Sequence, residues 1–115
     1  MIPDTRRAPR LQVPALVPVT DTMTAGVIGR LGNVSETGML LIASEPLTED
    51  ALYQLRFPVP DGRGGDVPID VGVHLLWREA AQAPGHFWAG FRFLTLEKGH
   101  RERLRQWIES SLPAS

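Results

Sequence analysis

The sequence predicts a mainly β fold: a small six-stranded antiparallel β-barrel with a C-terminal α-helix. Three observations carry this. Gly and Pro, at 11 and 10 of 115 residues, are frequent enough to punctuate the chain with turns. Between them lie short apolar runs, several alternating with the period of two expected of strands with one buried face. Only near the C-terminus does the apolar spacing lengthen to that of a helix. The length suits one core, and no repeat or low-complexity tract marks a second. Residues 1–10 therefore read as a flexible arginine-containing arm, and residues 11–112 as a single barrel domain with its helix.

Residues 11–19 (LQVPALVPV) are apolar and rich in valine but carry Pro14 and Pro18. Proline has no N–H for a ladder, so this stretch is expected as an edge or interrupted strand. Residues 21–25 form a turn. Residues 25–34 form the next strand, in which Gly26, Gly29 and Gly32 point to bends or to close backbone approach. Ser35-Glu36-Thr37-Gly38 makes a tight corner, followed by a buried strand over 39–43 (MLLIA). A further strand over 52–59 stops at Pro58 and Pro60, and DGRGGD (61–66) is a glycine-rich hairpin loop. Val71, Val73, Leu75 and Trp77 alternate with Gly72, His74, Leu76 and Arg78, so the first set, Trp77 included, is expected in the core. Pro84-Gly85 turns the chain into 87–96, where Phe87, Ala89, Phe91 and Phe93 share a face. Leu104, Trp107, Ile108 and Leu112 recur at helical spacing, Trp107 as a second core tryptophan, and Pro113 ends the helix. Strands followed by one amphipathic helix give a closed or nearly closed barrel with a helical lid.

Composition narrows the function. Net charge is −1, so no broad basic face invites nucleic acid or an acidic membrane surface. The first ten residues nevertheless carry Arg6, Arg7 and Arg10 against Asp4 alone, a local cationic end suited to a small anionic ligand. There is no cysteine, which excludes disulfides and cysteine metal sites. The N-terminus lacks an apolar signal region, and no apolar run is long enough to cross a bilayer. A soluble, cytoplasmic protein is the expectation, which leaves Asn33-Val34-Ser35 unglycosylated. His74, His86 and His100 lie in separate elements with no carboxylate at ligand spacing, so neither a metal nor a cofactor is expected. Ser35 and His74 lack the nucleophile elbow and ordered Asp of a triad. The GRGG around Arg63 lacks the Lys-Ser/Thr ending of a phosphate loop. No residue set supports catalysis, and the chain is not read as an enzyme.

Two short patterns remain. Arg6-x-x-x-Arg10 lies in the arm, just before the first strand, and Asn33-x-Ser35-x-x-Gly38 spans the corner between two strands. Each alone is weak: Arg101 and Arg105 repeat the first spacing on successive helical turns, and any tight turn favours Asn, Ser and Gly. Their order, separation and placement together are specific. RRAPR, then NVSETG, then the GFRFL strand and a closing helix, resemble a PilZ domain over essentially the whole chain.

That resemblance implies a six-stranded barrel that binds the bacterial second messenger cyclic di-GMP. It implies ligand-binding roles for Arg6 and Arg10 in the first motif, and for Asn33, Ser35 and Gly38 in the second. The chemistry agrees with it. A guanidinium donates two hydrogen bonds to guanine O6 and N7, stacks on a purine or pairs with a phosphate. Asn33 and Ser35 offer short donors and acceptors, and Gly38 removes a Cβ where the chain turns sharply and a ligand lies close. Arg7 either adds a stacking or phosphate contact or is a solvated charge. Thr5 sits where the family tunes how many nucleotides bind. Arg92 is either an outward charge or a lining residue, and Trp88, facing away from the Phe87 and Phe91 side, is the tryptophan offered to a ligand or partner.

The arm is expected to order across the barrel mouth on ligand binding and to signal to a protein partner, whose identity the residues do not reveal. The competing readings are a PilZ-type interaction module without nucleotide, such as a pilus or motility adaptor, and a single-stranded nucleic-acid barrel. The intact arginines weigh against the first, and near-neutral charge weighs against the second.

Overall fold

The computed structural model describes residues 9–112. Among these residues seven strands precede one helix: β1 (Leu11–Gln12), β2 (Pro18–Asp21), β3 (Gly26–Val34), β4 (Gly38–Ala43), β5 (Leu52–Pro60), β6 (Asp66–Ala80), β7 (Phe87–Leu96) and α1 (Lys98–Ser111). Six of them close a ring of antiparallel neighbours, β3–β2–β5–β6–β7–β4 and back to β3. This is the barrel that the turn frequency and short strands predicted. The two-residue β1 is an addition to it. β1 and β2 both pair with β3, on the edge that β4 leaves open, and so form the interrupted strand that two prolines require. The break is stitched by Val13 N–H to Gly32 O at 3.0 Å and Leu31 N–H to Val17 O at 2.9 Å.

Inward-facing side chains fill the ring. Val19, Ile28, Leu31, Val34, Met39, Leu41, Leu55, Phe57, Val59, Ile69, Val71, Val73, Leu75, Ala89 and Phe91 are all buried. The helix packs beside β5 and turns Leu104 and Ile108 into this core, with Trp107 and Leu112 partly buried at its margin. Helix α1 begins at Lys98, three residues before the first arginine of its basic run, because Glu97 caps it. The Glu97 carboxylate accepts from the N–H groups of Gly99 and His100, satisfying donors that have no partner within the helix. Arg103 ties the helix to the β5–β6 loop by donating to Asp61 O at 3.2 Å.

β6 departs from the expected pattern. It runs for 15 residues, and its register against β7 shifts at Gly72/Val73 and again at Leu75/Trp77. Leu75 pairs with Phe91 and Trp77 with Gly90, so Leu76 is an extra residue that reverses the alternation. Trp77 is therefore not a core residue: it is 43% exposed on the outer wall.

Removing the Leu104 side chain leaves a hole under the helix, so Leu104→Ala should cost about 2–5 kcal/mol in urea unfolding. Asp70 adds a pH dependence. Its carboxyl is held below its ordinary 3.8 mainly by the hydrogen bond from Arg56, against a smaller opposing desolvation. A depressed carboxyl stabilises the fold above its unfolded value and loses that contribution as pH falls through the folded one. Asp61 and Glu102 are lowered in the same sense. Unfolding midpoints measured from neutral pH downward should fall below about pH 4, and less steeply in Asp70→Asn.

Candidate functional site

Arg10, the last residue of the first sequence pattern, meets the second pattern at one end of the barrel. β1 pairs Leu11 with Val34 and Gln12 with Asn33, which sets the preceding Arg10 beside the β3–β4 corner. Arg10 Nε donates to Asn33 Oδ1 at 2.8 Å, and an Arg10 terminal nitrogen lies 3.5 Å from Ser35 Oγ. Residues 23 and 25 positions apart in sequence are thereby latched together. Arg6 and Arg7 lie outside the described residues.

Ser35 holds the corner. Its N–H donates to Gly38 O at 2.8 Å, and its Oγ accepts from Thr37 N–H at 3.2 Å. The same hydroxyl lies 3.1 Å from Thr37 Oγ1 and 3.4 Å from Gly38 O. Ser35 is fully buried, alone among the polar side chains of the described residues. A hydroxyl without water must find its partners inside the protein, and here the turn and Arg10 supply them.

Gly38 is required by a neighbour rather than by its own torsions. It pairs with Arg92, and a Cβ at Gly38 would stand 2.3 Å from Phe91 O on β7. Its φ is not in the left-handed region, unlike those of Gly62, Gly64 and Gly85.

Beneath Arg10 lies a groove of about 350 Å³ lined by Asn33, Met39, Leu40, Leu76, Trp77, Gly90 and Phe91. The register explains its floor. Asn33, Leu40, Gly90 and Trp77 form one outward row across β3, β4, β7 and β6. The Trp77 indole fills the place of the missing Gly90 side chain, with Nε1 2.3 Å from where a Cβ would stand. Among the described residues the lining carries one cation, Arg10, and no carboxylate. A flat indole, an aliphatic floor and a guanidinium at the rim suit a planar, anionic or carbonyl-bearing ligand. A larger cavity of about 730 Å³ at the start of α1 mixes Asp70, Glu97, His100 and Arg101 and contains none of the motif residues.

Arg92 lies in the next row toward the corner, opposite Gly38 and His74, and is exposed. Trp88 lies one row the other way, beside Ile42 and Arg30, and does not line the groove. His74 Nε2 is 2.5 Å from Asp50 Oδ1, a carboxylate that sequence spacing did not associate with it. Of the lining, sequence reasoning named only Arg10 and Asn33; it missed the outward Leu40 and Trp77 together with Met39, Leu76, Gly90 and Phe91. The one signal was three consecutive apolar residues, Leu75-Leu76-Trp77, where strict alternation fails.

A closed six-stranded barrel, a capping helix and an arginine latched to the β3–β4 corner define a small β-barrel module whose polar rim adjoins an apolar groove. A family model described as the PilZ domain matches residues 4–110, and the chain belongs to that family. Solved structures share the fold. The Bacillus subtilis inhibitor of motility, MotI/DgrA, superposes with a TM-score of 0.71 at 12% identity over 91% of this chain and 50% of that one. The PilZ domain of Escherichia coli YcgR with c-di-GMP gives 0.64 at 21% over 92% and 90%. E. coli YcgR in complex with c-di-GMP gives 0.67 at 23% over 91% and 45%. This chain thus spans about half of MotI/DgrA and under half of that longer YcgR chain. No curated protein sequence matches it.

Two substitutions test the corner. Ser35→Ala deletes a buried hydroxyl and should cost about 1–3 kcal/mol of stability in denaturant unfolding. Gly38→Ala drives a Cβ into backbone that cannot swing aside, and should cost about 3 kcal/mol or more by the same measurement.

Proposed function

We propose that this chain is a receptor for cyclic di-GMP that grips the nucleotide between its N-terminal arginines and the β3–β4 corner, and signals through that arm to a protein partner. The observation that carries the proposal is the Arg10–Asn33–Ser35 latch beside an apolar groove, which joins the second arginine of one PilZ motif to the other motif. The YcgR structures, which hold c-di-GMP on the same fold, support it.

In this scheme Arg10 meets a guanine edge or a phosphate, and its bond to Asn33 holds it near the groove before the ligand arrives, so less freedom is lost on binding. Asn33 supplies an amide to the ligand. Ser35 and Gly38 act as positioning residues, keeping the corner and the β4–β7 contact in place. Trp77 and Leu40 receive a purine face. Arg6 and Arg7 add phosphate or stacking contacts from the arm, and Arg92 adds positive potential from the neighbouring row.

The arm, residues 1–10, is drawn across the groove from its anchor at Arg10 when nucleotide binds. A partner then reads the changed surface, with a free energy limited to the difference in nucleotide affinity between the two arm states. The scheme involves no catalysis, no nucleic acid and no membrane insertion, and it places the protein in the cytoplasm. Among the described residues no helix is long and apolar enough to cross a membrane.

Calorimetric titration with cyclic di-GMP, with GTP and cyclic di-AMP as controls, tests the reading. Selective binding is expected, weakened in Arg10→Ala by about 1–3 kcal/mol if the guanidinium makes a bidentate base contact. Quenching of tryptophan fluorescence on binding should be lost in Trp77→Phe. Amide exchange in residues 1–12 should slow with nucleotide. Absence of heat and of any melting shift at high nucleotide would overturn the receptor role and leave an interaction module.

A further inference from the structure

The outer wall of β3, β4, β7 and β6 carries a second row, one step along the strands from the groove: Arg30, Ile42, Trp88 and Glu79. Residues paired across neighbouring strands share a face, and here the inward positions beside them, Leu31, Leu41 and Ala89, are buried. Ile42 and Trp88 stand together over Gly32, within 3.6 and 3.8 Å of where its Cβ would be, measured to Trp88 and Ile42 in turn. The row therefore runs cation, aliphatic, indole, carboxylate.

Arg30 and Glu79 are both exposed, and among the described residues neither side chain makes a hydrogen bond or ion pair. They stand three strand spacings apart, roughly 14 Å, beyond reach of each other within one chain. Leu16, Val27, Leu76 and Trp77, four of the seven exposed large hydrophobic residues among those described, flank the same wall. Apolar exposure gathered on one face marks an interaction surface.

We propose that this wall is the interface of a homodimer. A two-fold axis lying along the strands between β4 and β7 reverses the row. It sets Arg30 against Glu79 of a second copy and Ile42 against Trp88, each contact occurring twice as an isologous interface demands. The row is complementary to its own reverse, which is why a second copy, rather than an unrelated partner, is its occupant. The apolar centre supplies the attraction, and the two end pairs select the register.

Sedimentation equilibrium of the nucleotide-free protein tests this independently of the receptor proposal, with melting curves confirming that the exposed charge variants fold. A reversible dimer is expected. Arg30→Glu and Glu79→Arg should each weaken it roughly tenfold, since each turns two attractive pairs repulsive. The double variant Arg30→Glu/Glu79→Arg should recover the wild-type association. A monomer at every concentration up to about millimolar, the weak end of association, would overturn the proposal. So would single reversals without effect, or a double variant no better than the singles.

Discussion

At Gly38 the backbone of β4 passes so close to that of β7 that a side chain of even one carbon would meet the Phe91 carbonyl. That contact stands where the ring closes. β4 is the last strand of the ring on one side and the hairpin partner of β3 on the other, so its start fixes both seams. The Ser35 hydroxyl, buried against Thr37 and Gly38, holds the turn that delivers Gly38 to β7. Thr37 adds a second tie, its carbonyl accepting from Phe93 N–H at 2.9 Å. The residues that read as ligand contacts in sequence thus serve the barrel first, and the site inherits its rigidity from them.

The outer wall follows from the same closure. Once β3, β4, β7 and β6 are adjacent, pairing alone determines which side chains line up across them, and each outward row acquires its own chemistry. The row with Asn33, Leu40, Gly90 and Trp77 is aromatic and hollow, and the row with Arg30 and Glu79 is charged at both ends. The bulge at Leu76 is what makes the first row possible. Without that extra residue Trp77 would face inward and the groove would have no indole.

The surface ion pairs do little to hold this together. Arg56–Asp70 and Arg105–Glu102 are half exposed and screened by solvent. Stability rests on the filled interior and on the plug of Leu104 and Ile108, while the charges tune acid sensitivity and surface chemistry.

Local features of the chain were legible in the sequence. Alternation located the strands, prolines marked the interrupted one, helical spacing found α1, and the corner was visible in Ser35 to Gly38. The two motifs named Arg10, Asn33, Ser35 and Gly38 before any contact was known, because turn chemistry and residue type are properties of a few neighbouring residues. Three things were decided only by tertiary structure. Ser35 is buried because β1 and Arg10 cover the corner from a distant part of the chain. Gly38 answers to Phe91, more than fifty positions away. Trp77 faces outward because the register between β6 and β7 slips by one residue, and a slip is a property of two strands together that neither strand records alone.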